Sequence, residues 1–445
     1  MIRTSSSSSF VRLVIGLAVL ACQIMGGGTE RGLLMDHVLQ ALIIATSTYV
    51  IVTLWDRSVS TAGLALFGAI ALLGCIQIMP LPCEWLESLR PQPYMPAIGS
   101  CSTTTISLSS YRTISGLISC LTMIVLFLAL SKFDESELGL LGRFVVAGVL
   151  VNLALSFVTF SQSDMSWMSD LLGYQAELGA FQNENHYSVY VAVGILAALT
   201  MRPQGYMRVW NLLLVTLVLL FLLAAGSRAG VLIGLFVSLL AFVMIARGSR
   251  SAVILAPGLG LVAAAYLYGL WIKFTEVEGD QILDRRDYAL TTWDAIRDQW
   301  PLGTGFSTFD IVYPRYEKLE QVYSAFVNHA HNDFLELILE GGLAGTLILA
   351  GCLAAIVMRF NRVRHRDSAR TAFIAILIIL VHSTVDYPLR TMGIASLFAF
   401  FAALLFARAP GSSAVPGRAI GVAPPRLIEA VQAATPTSEG DQIAR

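Results

Sequence analysis

The chain has 445 residues, of which 56% are hydrophobic and 13% charged, with a formal net charge of −1 and a mean hydropathy of +0.70. Soluble domains carry about a quarter charged residues, so a water-soluble globule is excluded, and the near-neutral balance gives no reason to expect a nucleic-acid partner. Apolar residues gather in runs of roughly 17–25, long enough to cross about 30 Å of hydrocarbon, and an all-α polytopic transmembrane helical bundle surrounded by membrane lipids is expected.

The N-terminus, MIRTSSSSSFVR, precedes an apolar run that ends in Gly26-Gly27-Gly28 without a clear cleavage site. It reads as an uncleaved first span with its basic end inside. About twelve spans follow from the run lengths: 11–27, 34–54, 61–81, 111–131, 138–160, 185–201, 209–225, 229–246, 251–272, 333–358, 369–386 and 391–408. Lys and Arg collect in the even-numbered connections: Arg57; Lys132; Arg202 and Arg208; Arg247 and Arg250; and the loop RFNRVRHRDSAR at 359–370. Basic loops stay in the cytoplasm, so both termini are expected there. Residues 1–408 form the expected transmembrane domain. The tail 409–445, rich in Pro, Ala, Ser and Gly, is expected to be a disordered cytoplasmic extension.

The opposite, periplasmic face then receives the loop at about 82–110, the loop at about 161–184 ending in GAFQNENHYSVY, the turn GSRAG, and the long loop 273–332. Cys83 and Cys101 share the first of these, and either pair in an oxidising compartment or stand as free thiols. In the long loop, ILDRRDYALTTWDAIRDQW spaces Leu283, Tyr288, Leu290, Trp293, Ile296 and Trp300 as an amphipathic helix along the membrane face. Pro301 ends it, and Gly303-Thr304-Gly305 makes a tight turn. A second helical piece is expected at about 309–323, carrying Tyr313, Tyr316, Glu317 and Lys318.

The most informative stretch is NHAHNDFLELILEGGLAG, Asn328–Gly345. His329, His331, Asn332 and Asp333 stand immediately before an apolar run, and titratable groups at a membrane boundary are costly to desolvate. The same outer side receives Arg228, Arg285 with Arg286, Asn183 and Asn185 with His186, and Asp386 and Arg390 from HSTVDYPLR. Arginine grips phosphate oxygens bidentately. Arg228 also follows Gly226-Ser227 at a helix start, where free N–H groups favour an anion. Histidine accepts a proton near neutral pH. Together they point to transfer of a group from a pyrophosphate leaving group to a hydroxyl. The outer side has no Asp-x-Asp pair of the magnesium-binding kind, so metal-independent chemistry without a cofactor is expected.

Some of these residues also have purely structural readings. Asn183 and Asn185 fit caps of the sixth span. Gly341, Gly342 and Gly345 suit close helix packing. Asp386 fits either a helix-end acceptor or an arginine partner, and Trp293 and Trp300 fit interface anchors.

These stretches resemble the O-antigen ligase and polymerase superfamily of bacterial membrane glycosyltransferases. The ligase signature is His, then Asn, Ser or Gln, nine residues, and Gly-x-x-Gly. It is met by His331, Asn332, Asp333–Gly341, Gly342 and Gly345. GAFQNENHYSVY, GSRAG, the Arg286 helix ending in PLGTGFSTF, and VHSTVDYPLR with His382 and Asp386 follow the family's order, so the resemblance covers roughly 175–405. It implies a transporter-like bundle in the inner membrane, with a periplasmic loop over a cavity open to the bilayer. The donor would be a glycan on undecaprenyl pyrophosphate, and the acceptor a hydroxyl of lipid A-core or of a growing glycan. By position His331 would be the base, with Arg228 and Arg286 binding the pyrophosphate. Arg285, His329, Asn332, Asp333, Asn183, Asn185, Asp386 and Arg390 would support them. His329 also stands in reach of the role, though only His331 fits the spacing, and Arg285 leaves the register at 286 open by one residue. A repeat-unit polymerase, including one making exopolysaccharide, shares the donor chemistry. A secondary transporter is the alternative of another class, and would show helices broken near the bilayer midplane.

Overall fold

The computed structural model describes residues 5–87, 103–161, 166–200, 280–318 and 326–410, with scattered positions between 230 and 272. The protein is mostly helical. Among the described residues, five helices are long and apolar enough to cross a membrane: Leu34–Thr53, Thr61–Ile78, Ser110–Leu130, the stretch Glu135–Thr159 and Asp333–Val363. Ser9–Met25 and Met392–Phe406 are shorter apolar helices. Helices Glu184–Thr200 and Asp367–His382 complete the set. Nine of the expected spans therefore coincide with helices. The spans at 209–225, 229–246 and 251–272 fall wholly or largely outside the described residues, as does the tail 411–445.

The helices pack both with neighbours in the chain and with distant ones. Thr61–Ile78 and Leu34–Thr53 lie against Ser110–Leu130, Ser5–Met25 against Glu135–Ser161, and Asp367–His382 against Met392–Phe406. Their shared core is apolar (Val11, Ile15, Phe181, Tyr187, Phe400 and Phe401 among others). One polar cluster crosses it. Asn152 Nδ2 donates to Gln23 O at 3.0 Å, Tyr190 OH to Gln23 Oε1 at 3.1 Å, and Ala180 N to Asn152 Oδ1 at 3.0 Å. These bonds satisfy buried polar groups that would otherwise be costly. They also fasten the 178–181 turn to the bundle.

Two segments between helices carry the structure of the candidate site. Residues 26–31 form a strap: Gly27 bridges Phe181 in parallel, Thr29 N donates to Gln182 Oε1 at 2.9 Å, and Gly393 N donates to Gly26 O at 2.8 Å. Between Ile78 and Ser110, Leu81–Pro82 pairs antiparallel with Thr103–Thr104, and Cys83 is disulfide-bonded. Cys101 lies outside the described residues.

The long loop departs from expectation in its second part. Its first helix is Asp280–Gln299, with Leu290, Trp293 and Trp300 on the exposed side. The inward face carries Thr291, Thr292, Ala295, Ile296 and Gln299. The exposed side is the one expected to lie along the membrane face, and of the residues placed there Ile296 turns inward instead. The second piece is a helix of four residues, Phe309–Val312, followed by a 3-10 turn at Tyr313–Arg315 that contains Pro314. Residues 319–325 lie outside the described residues. Beneath both pieces, Ala295, Ile296, Phe309, Val312, Tyr313, Val327, Ala330 and Leu339 form a separate small core.

Candidate functional site

The Asp333–Val363 helix is not continuous. Gly342 has φ 56° and ψ −145°, which breaks it after two turns. The 301–305 turn fills the break. Leu343 N donates to Pro301 O at 2.9 Å, Thr304 N to Leu339 O at 3.0 Å, and Gly305 N to Glu340 O at 3.0 Å. Gln77 Nε2 adds a second bond to Glu340 O at 2.8 Å. A Cβ on Gly342 would lie 2.2 Å from Pro301 O, and one on Gly303 would lie 2.5 Å from Gly342 N. The first glycine of the signature is therefore needed for a left-handed backbone against another backbone. This is closer packing than the expected approach of two helices.

Upstream of the break, Asn332 caps the helix, its Oδ1 accepting from Phe334 N and Leu335 N at 3.0 Å each. Its Nδ2 donates to Thr384 O at 2.9 Å. His331, just before the cap, holds φ 49°. A non-glycine residue in that region costs about 1–3 kcal/mol and persists only where the surroundings enforce it. The imidazole lies 5.0 Å from the Tyr387 ring and 5.2 Å from that of Tyr288 on the loop helix. Its Nδ1 is 3.2 Å from His329 O. A carbonyl can only accept, so Nδ1 carries the proton and Nε2 keeps its lone pair.

Asp386 is fully buried at the centre of the polar groups. It accepts from Tyr387 N at 3.0 Å and Asn185 Nδ2 at 3.1 Å. His186 Nε2 stands at 3.4 Å, Arg285 Nη2 at 3.6 Å and His382 Nε2 at 3.8 Å. Both roles considered for Asp386, helix-end acceptor and arginine partner, are present together. Burial pushes the His331 imidazole below its usual pKa of 6.5, the Asp386 charge draws it back up, and the Arg285 charge pushes it down. Burial and Asp386 push the Tyr387 phenol up to about 12, so it remains a neutral donor.

The remaining expected residues are found as follows. Asn183 caps the helix at Glu184, its Oδ1 accepting from Asn185 N at 2.8 Å. His329 is buried with Nδ1 on Glu336 at 2.9 Å. Asp333 Oδ2 accepts from Ser383 Oγ at 2.7 Å and Leu389 N at 3.2 Å, tying the 383–390 turn to the helix start. Arg390 spans Asp333 at 3.7 Å, Glu336 at 3.4 Å and Glu340 at 3.3 Å. Arg286 is exposed, whereas Arg285 reaches Asp386. Arg228 lies outside the described residues.

Sequence reasoning missed Arg31, Asp310, Arg112, Glu336 and Glu340. Arg31 bridges Asp310 at 2.7 Å and Glu336 at 3.3 Å, and Arg112 meets Asp310 at 2.7 Å. One signal was available. Asp333, Glu336 and Glu340 recur at i, i+3 and i+7, so they share one helix face inside an apolar run. Among the described residues no three His, Cys, Asp or Glu side chains are grouped to hold a metal ion.

Residues 212–350 match the family profile described as O-Antigen ligase. No curated protein matches the chain. The matched segment contains the signature and the loop helix, while Arg31, Asn185, Asp386 and Arg390 contribute from outside it.

Proposed function

We propose that this chain, which belongs through its 212–350 segment to the O-antigen ligase and polymerase superfamily, is a membrane glycosyltransferase with His331 as its base. The donor is a glycan on undecaprenyl pyrophosphate, and the acceptor is a hydroxyl of lipid A-core, met on the periplasmic face of the bacterial inner membrane. His331 Nε2 takes the proton of the acceptor hydroxyl. The oxygen attacks the anomeric carbon, the bond to pyrophosphate breaks, and the released negative charge is held by arginine.

The observation that carries this reading is the His331 geometry. Its backbone is strained, its Nδ1 is committed to a carbonyl, and burial keeps the imidazole neutral at pH 7. An unprotonated Nε2 is what a general base requires. Arg228 and Arg286 are assigned to the pyrophosphate. Arg285 sits between Asp386 and His331 electrostatically and is assigned to linking leaving-group binding with the base. The chemistry is metal-independent in this proposal, since arginines supply the positive charge a metal would bring.

A repeat-unit polymerase shares all of these steps. A secondary transporter is less well supported. The helix break at Gly342 resembles a transporter feature, but in transporters the freed backbone groups line an ion site. Here they are taken up by Thr304, Gly305 and Gln77. The deciding experiment is His331→Ala followed by analysis of surface glycan. Membrane insertion with no transfer is expected, and normal transfer rejects the base. In the gene deletion, loss of long chains from lipid A-core with accumulation of lipid-linked polymer identifies a ligase. Single-repeat products identify a polymerase.

A further inference from the structure

Glu336 is the most heavily tied group around the proposed base. Its side chain is fully buried. His329 Nδ1 donates to it at 2.9 and 3.2 Å, and Ala330 N donates at 3.1 Å. Arg31 Nη2 and Arg390 Nη2 face it at 3.3 and 3.4 Å. Two of its partners are thus the two residues immediately before His331, and the carbonyl of the first, His329, receives the His331 Nδ1 proton.

The 329–336 segment is consequently closed on itself. The Asn332 side chain fixes the helix start, and Glu336, one turn into that helix, reaches back to hold residues 329 and 330. His331 lies between the two anchors and takes the positive φ that closure demands. The two arginines keep the carboxylate charged in a buried position, where an uncompensated charge would be costly. Arg31 comes from the 26–31 strap and is itself held by Ser307 O at 2.6 Å and Asp310 at 2.7 Å. Arg390 comes from the turn before the last helix. Both lie outside the family match.

We propose that Glu336 is a positioning residue for the base: through His329 and Ala330 it sets the backbone of residue 331 and the direction of its imidazole. This rests on the reading of His331 as the base. Glu336→Gln separates positioning from bulk. The amide matches the carboxylate in size and can still accept from Ala330 N, but its NH2 opposes the His329 Nδ1–H, donor against donor, and the arginines lose a counter-charge.

The test uses the full-length protein in detergent, treated with diethyl pyrocarbonate, with modification of each histidine followed by mass spectrometry. His365, exposed in the 364–366 connection, is the internal standard. In Glu336→Gln the His331 rate is expected to rise several-fold relative to His365, with the melting temperature within a few degrees of wild type. Surface glycan made by cells carrying the variant should fall by about 100-fold, the size of effect a misplacement of about 1 Å can have. An unchanged His331 rate or wild-type glycan overturns the positioning role. If Glu336→Gln does not accumulate, His329→Gln, which leaves Glu336 and both arginines in place, is read in the same way, with the same outcomes counting for and against. Full transfer by His331→Ala would instead overturn the base and leave the reactivity result as a statement about the loop alone.

Discussion

The same helices end in two very different kinds of charged cluster. Away from the candidate site, cations close helix ends. Lys132 Nζ donates to Leu54 O at 3.2 Å and Arg57 O at 2.7 Å. Arg359 reaches Leu405 O at 3.0 Å and Ala407 O at 2.7 Å, and Arg366 pairs with Glu135 at 3.2 Å. Each bond satisfies a carbonyl that a finishing helix leaves open, or a nearby carboxylate. At the His331 end, cations meet buried carboxylates and imidazoles instead, and several polar atoms lack a hydrogen-bond partner: His186 Nδ1 and Nε2, His382 Nε2, Asp333 Oδ1 and Glu340 Oε1. One cluster closes backbone ends with cations, and the other gathers titratable side chains around buried carboxylates.

Substitutions can break this contrast. The largest effect is expected for His331→Ala, with glycan transfer reduced by about 100- to 10,000-fold and membrane insertion unchanged, read from surface glycan and membrane fractionation. Gly342→Ala should act on folding. The added Cβ meets Pro301 O, and φ 56° is strained for alanine, so a loss on the order of 3 kcal/mol is expected, measured as a lower melting temperature in detergent.

Subtler tests sharpen the comparison. Transfer needs neutral His331, whose pKa burial has already lowered, so activity should persist below pH 6.5 and fail only when the lowered pKa is passed. Asp386→Asn removes a charge that raises that pKa, so the acid limb should move to lower pH. Arg285→Gln removes one that lowers it, so the limb should move to higher pH. A limb unmoved by either change would detach both residues from the base. The smallest effect belongs to the other end. Lys132→Ala should cost about 1–3 kcal/mol of stability by leaving buried carbonyls unpaired, with the pH profile of transfer unaltered.

Hydrophobic run length and the cost of burying an unpaired backbone decided the helices from sequence alone, because both act locally. The positions of nine helices, the capping role of Asn183 and the start of a helix just after His331-Asn332 were therefore legible in the chain. The identity of the arginine that reaches Asp386 was not, since residues 285 and 286 differ only in which way a helix turns. Nor was the inward face of the loop helix, which carries Thr291, Thr292 and Ala295. The conjunction of Arg31, Glu336 and Arg390 brings a residue near the start of the chain to two that lie about three hundred positions or more beyond it. Only packing of the first strap and the last turn against the broken helix could create it, because ion pairing depends on distance in space and leaves no periodic trace in sequence.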